Sequence, residues 1–397
     1  MSFNDLKNFC PAPWVSLYIE PDGTVKNCCI SKGSLGNINE FVDLGDAVNG
    51  KLNLEIKELM LKDQPVLACE NCSNQSGPHT LQQHFKNKFK NISDDFYSNT
   101  NNFKLKYLDI RWNNTCNFAC IYCGPKLSSL WAEQGQQVIK MKEVKGDLLN
   151  FVLESAADLQ EIYLAGGEPL MLKEYEIILT KLLEVNKQCR ICINTNLSIV
   201  EGNKIFELLK QFKNVQWLVS GEAMYKQYEY IRWPGKWDVF VKNLHLIKSI
   251  PFHLLSVNMV LMNINSLSIW DYIDFLDDEL GVPRKAMSIN IFNMRDSLGS
   301  YAIQRLTDKQ RELVRERISK RDYSKILGFD NVIDSLNDNR SDKLSGWNGL
   351  EYTIEEFEKL DKIRNLNSRE IFPDIYNIVN SNSRDIPTKF KLTTETN

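Results

Sequence analysis

Ten cysteines in a chain of 397 residues are grouped rather than scattered, and the tightest group lies in residues 113–125. That stretch reads N-N-T-C-N-F-A-C-I-Y-C-G-P and sets Cys116, Cys120 and Cys123 at C-x3-C-x2-C spacing. Three soft thiolates on one short loop suit an iron–sulfur cluster. A closed zinc or [4Fe–4S] site takes four protein ligands, so three leave one iron open to an outside ligand. A zinc knuckle with its fourth ligand elsewhere is the competing reading of the same residues.

A second group lies upstream. Cys10 sits in C-P-A-P-W, a strand-like run spans 14–19, and Pro21-Asp22-Gly23 forms a turn before Cys28 and Cys29. Proline fixes φ at one corner and glycine allows positive φ at the next. The resulting hairpin brings Cys10 towards Cys28. A helical stretch at 55–61 leads to Cys69-Glu70-Asn71-Cys72, so five cysteines compete for four positions. A zinc ribbon of two knuckles is the alternative to a cluster here.

The elements that must position these groups follow from pattern. Residues 77–97 read as a connecting helix whose His79 and His84 are surface residues, and 98–103 as a polar linker. From residue 104, short apolar strands alternate with amphipathic stretches, which predicts a parallel sheet with crossover helices. Six strands are expected, at 107–111, 161–165, 190–194, 215–220, 254–260 and 286–292. Helices are expected at 128–142, 147–157, 172–186, 202–212, 237–250 and 266–280. Six units are too few for a closed eight-stranded barrel. Several strands alternate instead of being apolar throughout. Asp109 and Arg111 share one face, as do Cys192 with Asn194, Ser256 with Asn258, and Ser288 with Asn290. Period-2 alternation then gives the sheet one polar face, a ligand chamber in which Asp109 and Arg111 are candidate catalytic groups. Cys189 and Cys192 are packing residues. The segment from about residue 323 is helical in parts, with an apolar stripe at Ile354, Phe357, Leu360 and Ile363, and docks over the barrel opening or against the N-terminal segment.

Composition bounds the partners. Forty-eight basic and 51 acidic residues give a net charge of −3, with no long basic run, which does not point to nucleic acid. No apolar stretch reaches 18 residues, and the N-terminus lacks a signal-peptide pattern, so no membrane association and a cytoplasmic location are expected. In a reducing compartment clustered cysteines read as metal ligands.

The cysteine loop, with Tyr122 before its last cysteine and Ala165-Gly166-Gly167-Glu168-Pro169 after the second strand, resembles the signature of the radical S-adenosylmethionine superfamily. The resemblance implies a partial (β/α)6 TIM-like barrel and an S-adenosylmethionine chelated by the open iron. It also implies that Gly166, Gly167, Glu168 and Pro169 hold the methionine amino group. Asn194, Ser220, Glu222 and Asn258, at or just beyond strand ends, become cofactor contacts, with Glu222 and Asn258 at the ribose. Tyr122 flanks adenine, and Arg232 meets the cofactor carboxylate as a bidentate donor. Upstream, Cys10, Gly23-x4-Cys28 and Cys69-x2-Cys72 resemble the auxiliary-cluster domain of SPASM and twitch radical enzymes. No cysteine lies between Cys72 and Cys116, which favours the shorter twitch form, although in many relatives this domain follows the core.

The expected organisation is a twitch-like auxiliary [4Fe–4S] domain at 1–75, a connector at 76–103, the barrel at 104–322 and a helical extension at 323–397. The implied activity is reductive cleavage of S-adenosylmethionine to a 5′-deoxyadenosyl radical that takes a hydrogen atom from a small molecule or peptide. An auxiliary cluster with four protein ligands has no open iron and would pass electrons, and a flavodoxin or ferredoxin would supply them. A non-enzymatic iron–sulfur redox or scaffold protein and a zinc-binding interaction module are the alternatives.

Overall fold

The computed structural model of the protein describes residues 2–41, 44–73, 80–134, 147–292, 299–337 and 350–380. The chain divides into two compact units: residues 1–119, 123–220 and 240–256, and residues 120–122, 221–239 and 257–397. Six strand–helix repeats of a partial (β/α)6 TIM-like barrel run through the chain, preceded by the cysteine-rich segment and followed by helices.

The first unit holds seven strands: β1 Ser16–Ile19, β2 Thr24–Lys26, β3 Gly36–Asn37, β4 Tyr107–Arg111, β5 Glu161–Ala165, β6 Arg190–Thr195 and β7 Val215–Ser220. They lie in the order β3-β2-β1-β4-β5-β6-β7. β1 and β2 form the expected hairpin, closed by Gly23 at φ +84°. β1 then pairs in parallel with β4, so the N-terminal hairpin extends the sheet of the cysteine loop. β8, Leu254–Leu261, begins in this unit, and its remainder pairs in parallel with β9, Met287–Ile291, in the second unit.

One register row fixes the polar face. Tyr18 on β1 lies beside Asp109 on β4, then Tyr163 on β5, Cys192 on β6 and Gln216 on β7. Residues in register on neighbouring strands point to one side of a sheet. The opposite side carries the apolar residues: Trp217 packs 5.8 Å from Phe206 of the helix Lys204–Leu209.

Four expectations change. Residues 14–19 are not all strand, because Ala12–Val15 is a helical turn. Pro11 and Pro13 sit at its start, where a missing N–H costs nothing and φ is already helical. The single helix at 77–97 is two, Leu81–Lys88 and Asp94–Ser98. Thr80 caps the first, and Ser93 with Asp94 and Asp95 starts the second, an N-terminal signal that outweighs continuation. His79 lies outside the described residues, and His84 is exposed. Of the expected helix at 128–142, Ser129–Gln134 is a 3-10 helix and residues 135–142 lie outside the described residues. In the helix Glu351–Arg364, Phe357 and Leu360 are buried but Ile363 is exposed, Thr353 and Arg364 being buried instead. Phe357 packs 5.3 Å from Tyr230 and 5.0 Å from Phe372 within the second unit.

The segment at 98–103 is fastened rather than loose. Trp14 Nε1 donates to the Asn99 carbonyl, and the buried Lys57 Nζ donates to the carbonyls of Thr100 and Asn102. Lys104 and Lys106 then bond to Trp14 and Val15, which starts the β1–β4 pairing.

Tyr175, on the helix Lys173–Val185, locks the ends of β4 and β5 together. Its fully buried hydroxyl lies 2.8 Å from the Ile110 carbonyl and 2.5 Å from that of Ala165, and accepts from Trp112 N at 3.3 Å. These are the strand ends from which the cysteine loop and the Gly-Gly segment leave. Tyr175→Phe, which leaves the strand-end groups without this partner in the interior, is expected to lower unfolding stability by about 1–3 kcal/mol. Chemical denaturation with unchanged m-value checks it.

Candidate active site

The loop after β4 is held by the segment after β5. Gly167 N donates to the Asn113 carbonyl at 3.0 Å and Glu168 N to the Thr115 carbonyl at 2.8 Å. Gly166 sits at φ +127°, where a Cβ would lie 2.7 Å from Asn113 O, and a Cβ on Gly167 would overlap Thr115 O. Both glycines are therefore required for the approach itself. Within the loop Ser129 Oγ accepts from Cys116 N at 3.1 Å, and Asn114 Nδ2 reaches the Pro125 carbonyl at 2.7 Å. These contacts brace the backbone beside Cys116 and Cys123.

Glu168 is fully buried and its carboxylate faces protein. Oε1 accepts from Thr195 Oγ1 at 2.6 Å and Leu170 N at 3.2 Å, and Oε2 from Asn196 N at 2.8 Å. It ties the end of β5 to the end of β6, with Pro169 starting the short 3-10 turn that follows. Asn196 Nδ2 continues to Asn117 Oδ1 at 2.9 Å, inside the cysteine loop. Sequence reading singled out Glu168 but not its partners, which come from a strand end 27 and 28 residues further on. Asn194 and Ser220 meet across β6 and β7, Ser220 Oγ donating to Asn194 Oδ1 at 3.1 Å.

On the polar face, Asp109 is 4% exposed and Arg111 partly buried. Arg111 Nε lies 3.7 Å from Asp109 Oδ1, and among the described residues neither atom has a hydrogen-bond partner. The Arg111 guanidinium stacks 5.1 Å from the Tyr18 ring. Burial raises the Asp109 carboxyl to about 6, against the opposing pull of Arg111. Asp109 therefore exchanges its proton near pH 6, is mostly ionised at neutral pH, and keeps an open hydrogen-bonding position on Oδ1.

In the second unit three expected cofactor contacts bind one another. Arg232 Nε and Nη2 grip Glu222 at 2.7 and 2.6 Å, and Tyr122 hydroxyl donates to Glu222 Oε1 at 2.9 Å. Arg232 Nη2 also meets the Tyr122 hydroxyl, and Nη1 points at Cys120 Sγ from 3.8 Å. Asn258 pairs with Ser288 across β8 and β9, and its carbonyl accepts from Gly221 N at 3.1 Å.

The upstream cysteines enclose a cavity of about 250 Å³ lined by Cys10, Cys28, Cys69 and Cys72. Burial raises the Cys28 and Cys69 thiols to about 11 and that of Cys10 further, each also disfavoured by the others' charge. Four thiols around one void are the donor set of a closed cluster, and binding must displace their protons. Cys29 does not line this cavity, and burial together with the Asp109 charge raises its thiol to about 12. Among the described residues no three His, Cys, Asp or Glu side chains converge on a single ion.

The Radical SAM superfamily profile matches residues 110–276, and an iron–sulfur cluster-binding domain, SPASM, matches residues 10–73. Among curated proteins the chain is similar to the GTP 3′,8-cyclase of Nautilia profundicola, 25% identical over 111 residues, 28% of this chain and 32% of that protein. It is similar to the GTP 3′,8-cyclase of Clostridium botulinum, 25% identical over 175 residues, 43% of this chain and 52% of that one. It matches the first of these relatives over about a third of their length. Among solved structures it is similar to anSMEcpe with bound AdoMet, 15% identical with TM-score 0.41, covering 58% of this chain and 60% of that one. It is also similar to Streptococcus suis SuiB bound to S-adenosylmethionine, 17% identical with TM-score 0.39, covering 72% and 67%. With TM-scores below 0.5, these likenesses leave the fold resting on the strand register.

The Asp109 shift has a signed consequence. Its folded value lies above the ordinary carboxylate value, so the charged form is penalised in the fold. The penalty is absent below the unfolded value near 4, grows between that value and about 6, and is complete above. Asp109→Asn is expected to stabilise the protein by about 2–3 kcal/mol at pH 8 and by nothing at pH 3. Denaturation at the two pH values checks it, and a destabilised variant at pH 8 contradicts it.

Proposed function

We propose that this chain, which matches the Radical SAM superfamily profile over residues 110–276 and the SPASM profile over residues 10–73, is a two-cluster radical enzyme modifying a polar small molecule or peptide. A reduced [4Fe–4S] cluster with S-adenosylmethionine supplies a carbon-centred radical able to take a hydrogen atom from an unactivated C–H bond. The observation that carries the reading is the backbone pairing of Asn113 and Thr115 with Gly167 and Glu168. It unites the cysteine loop and the Gly-Gly-Glu segment, which the sequence holds apart by about fifty residues.

Cys116, Cys120 and Cys123 are assigned to the cofactor-binding cluster from their spacing, with Cys10, Cys28, Cys69 and Cys72 holding the auxiliary one. Gly166 and Gly167 offer bare backbone to the methionine moiety, while Glu168 fixes that backbone through its contacts at the end of β6. Asn194, Ser220 and Asn258 are polar groups at strand ends suited to ribose hydroxyls. Asp109 and Arg111, with an unfilled acceptor and an unfilled donor, suit a substrate group that both donates and accepts, such as an amide or hydroxyl. Asp109 would hold or take a proton at its Oδ1.

β1 of the cysteine-rich segment pairs in parallel with β4 and sets Tyr18 beside Asp109 on the polar face, which supports electron exchange with bound substrate over a purely structural role. That favours a net oxidation or an electron-balanced rearrangement. A flavodoxin or ferredoxin is the proposed donor, in a reducing cytoplasm. Among the described residues no helix is long and apolar enough to cross a membrane.

Metal analysis after anaerobic reconstitution tests the assignment. About eight irons per chain are expected, falling to about four in the Cys69→Ala/Cys72→Ala double variant. Zinc without iron in the protein as purified anaerobically, with no iron uptake on reconstitution, would overturn it.

A further inference from the structure

We infer that Arg232 is a positioning residue for the radical-generating cluster: held by Glu222 and Tyr122, its guanidinium donates a hydrogen bond to the Cys120 sulfur and raises the cluster's reduction potential. The inference rests on the assignment of Cys120 as a cluster ligand. It replaces the expectation that Arg232 grips the cofactor carboxylate.

The geometry decides between the two. A guanidinium holds a carboxylate through two parallel N–H bonds along one edge. The Nε–Nη2 edge of Arg232 is already occupied by both oxygens of Glu222, at 2.7 and 2.6 Å. Tyr122 closes the same end, donating to Glu222 and accepting from Arg232 Nη2. What remains is the Nη1 end, and it is aimed at Cys120 Sγ from 3.8 Å.

The group is also rigid and dry. Arg232 is 3% exposed and Glu222 1%. Arg232 N bonds to the Tyr228 carbonyl at the end of the helix Tyr225–Ile231, and Ile121 N bonds to the Ile231 carbonyl. Ile121, next to Cys120, is thus tied to Ile231, next to Arg232. Asn265 Nδ2 bonds to the Glu222 carbonyl at 3.2 Å and fixes the third member. Arg364, 5.2 Å over the Trp233 ring, adds a second buried cation acting on Cys120.

A hydrogen bond to a cluster sulfur, and positive charge beside it in a low-dielectric interior, stabilise the reduced and more negative cluster. The same contact leaves the cofactor's carboxylate to other groups, so its loss acts first on the potential and not on cofactor affinity.

The test uses the full chain, reconstituted anaerobically, in the Cys69→Ala/Cys72→Ala background that silences the auxiliary cluster. Redox titration followed by electron paramagnetic resonance gives the midpoint. Arg232→Gln is expected to lower the reduced-to-oxidised ratio at fixed potential about tenfold, a midpoint about 59 mV more negative for one electron. Arg232→Lys keeps the charge but loses the fork, and is expected to shift in the same direction by less. An unchanged midpoint in whichever variant carries its full iron overturns the inference. If the unsubstituted background loads iron but S-adenosylmethionine leaves its spectrum unaltered, the functional reading has failed instead.

Discussion

The structure around the cysteine loop depends on one close approach. The chain leaving β4 and the chain leaving β5 run near enough for two backbone hydrogen bonds, and the second position leaves no room for a Cβ beside the Thr115 carbonyl. Everything nearby serves that approach. Tyr175 clamps the two strand ends from behind, Glu168 anchors the second segment to β6, and Asn196 reaches back into the loop through Asn117. Contacts within the chain thus fix the backbone of the loop, the kind of preorganisation that a cluster with an open coordination position requires.

Buried charge is the second theme, and it is used in two ways. Glu168, and Glu222 with Arg232, are saturated by protein partners and fix geometry. Asp109 and Arg111 are not saturated: they stand 3.7 Å apart with one acceptor and one donor unmatched. A buried polar atom without a partner is costly and persists in native proteins chiefly where function uses it. Burial without bonding thus separates the candidate substrate groups from the scaffold.

Much of this was legible from residue order. The six strands of the repeat lie where alternation put them, within one or two residues, because period-2 patterning survives translation into a sheet with one polar face. The cysteine grouping and the turn at Gly23 singled out the four thiols that line the upstream cavity. Other features depend on contacts that spacing does not encode. Cys28 and Cys29 are indistinguishable in sequence, and only the path out of the hairpin turns Cys28 into the four-thiol cavity. Arg232 read as a free carboxylate receptor because Glu222, ten residues earlier, gave no local sign of filling its fork. The helix break after Lys88 and the helical turn at Ala12–Val15 had visible capping and proline signals that were outweighed by longer apolar patterns.

The central claim is that this chain generates a radical from S-adenosylmethionine. The most direct measurement is quantitation of 5′-deoxyadenosine after anaerobic incubation of the reconstituted protein with the cofactor and dithionite. The account predicts product from the intact chain and none from the Cys116→Ala/Cys120→Ala/Cys123→Ala variant. Absence of product from an intact chain carrying its full iron would contradict it.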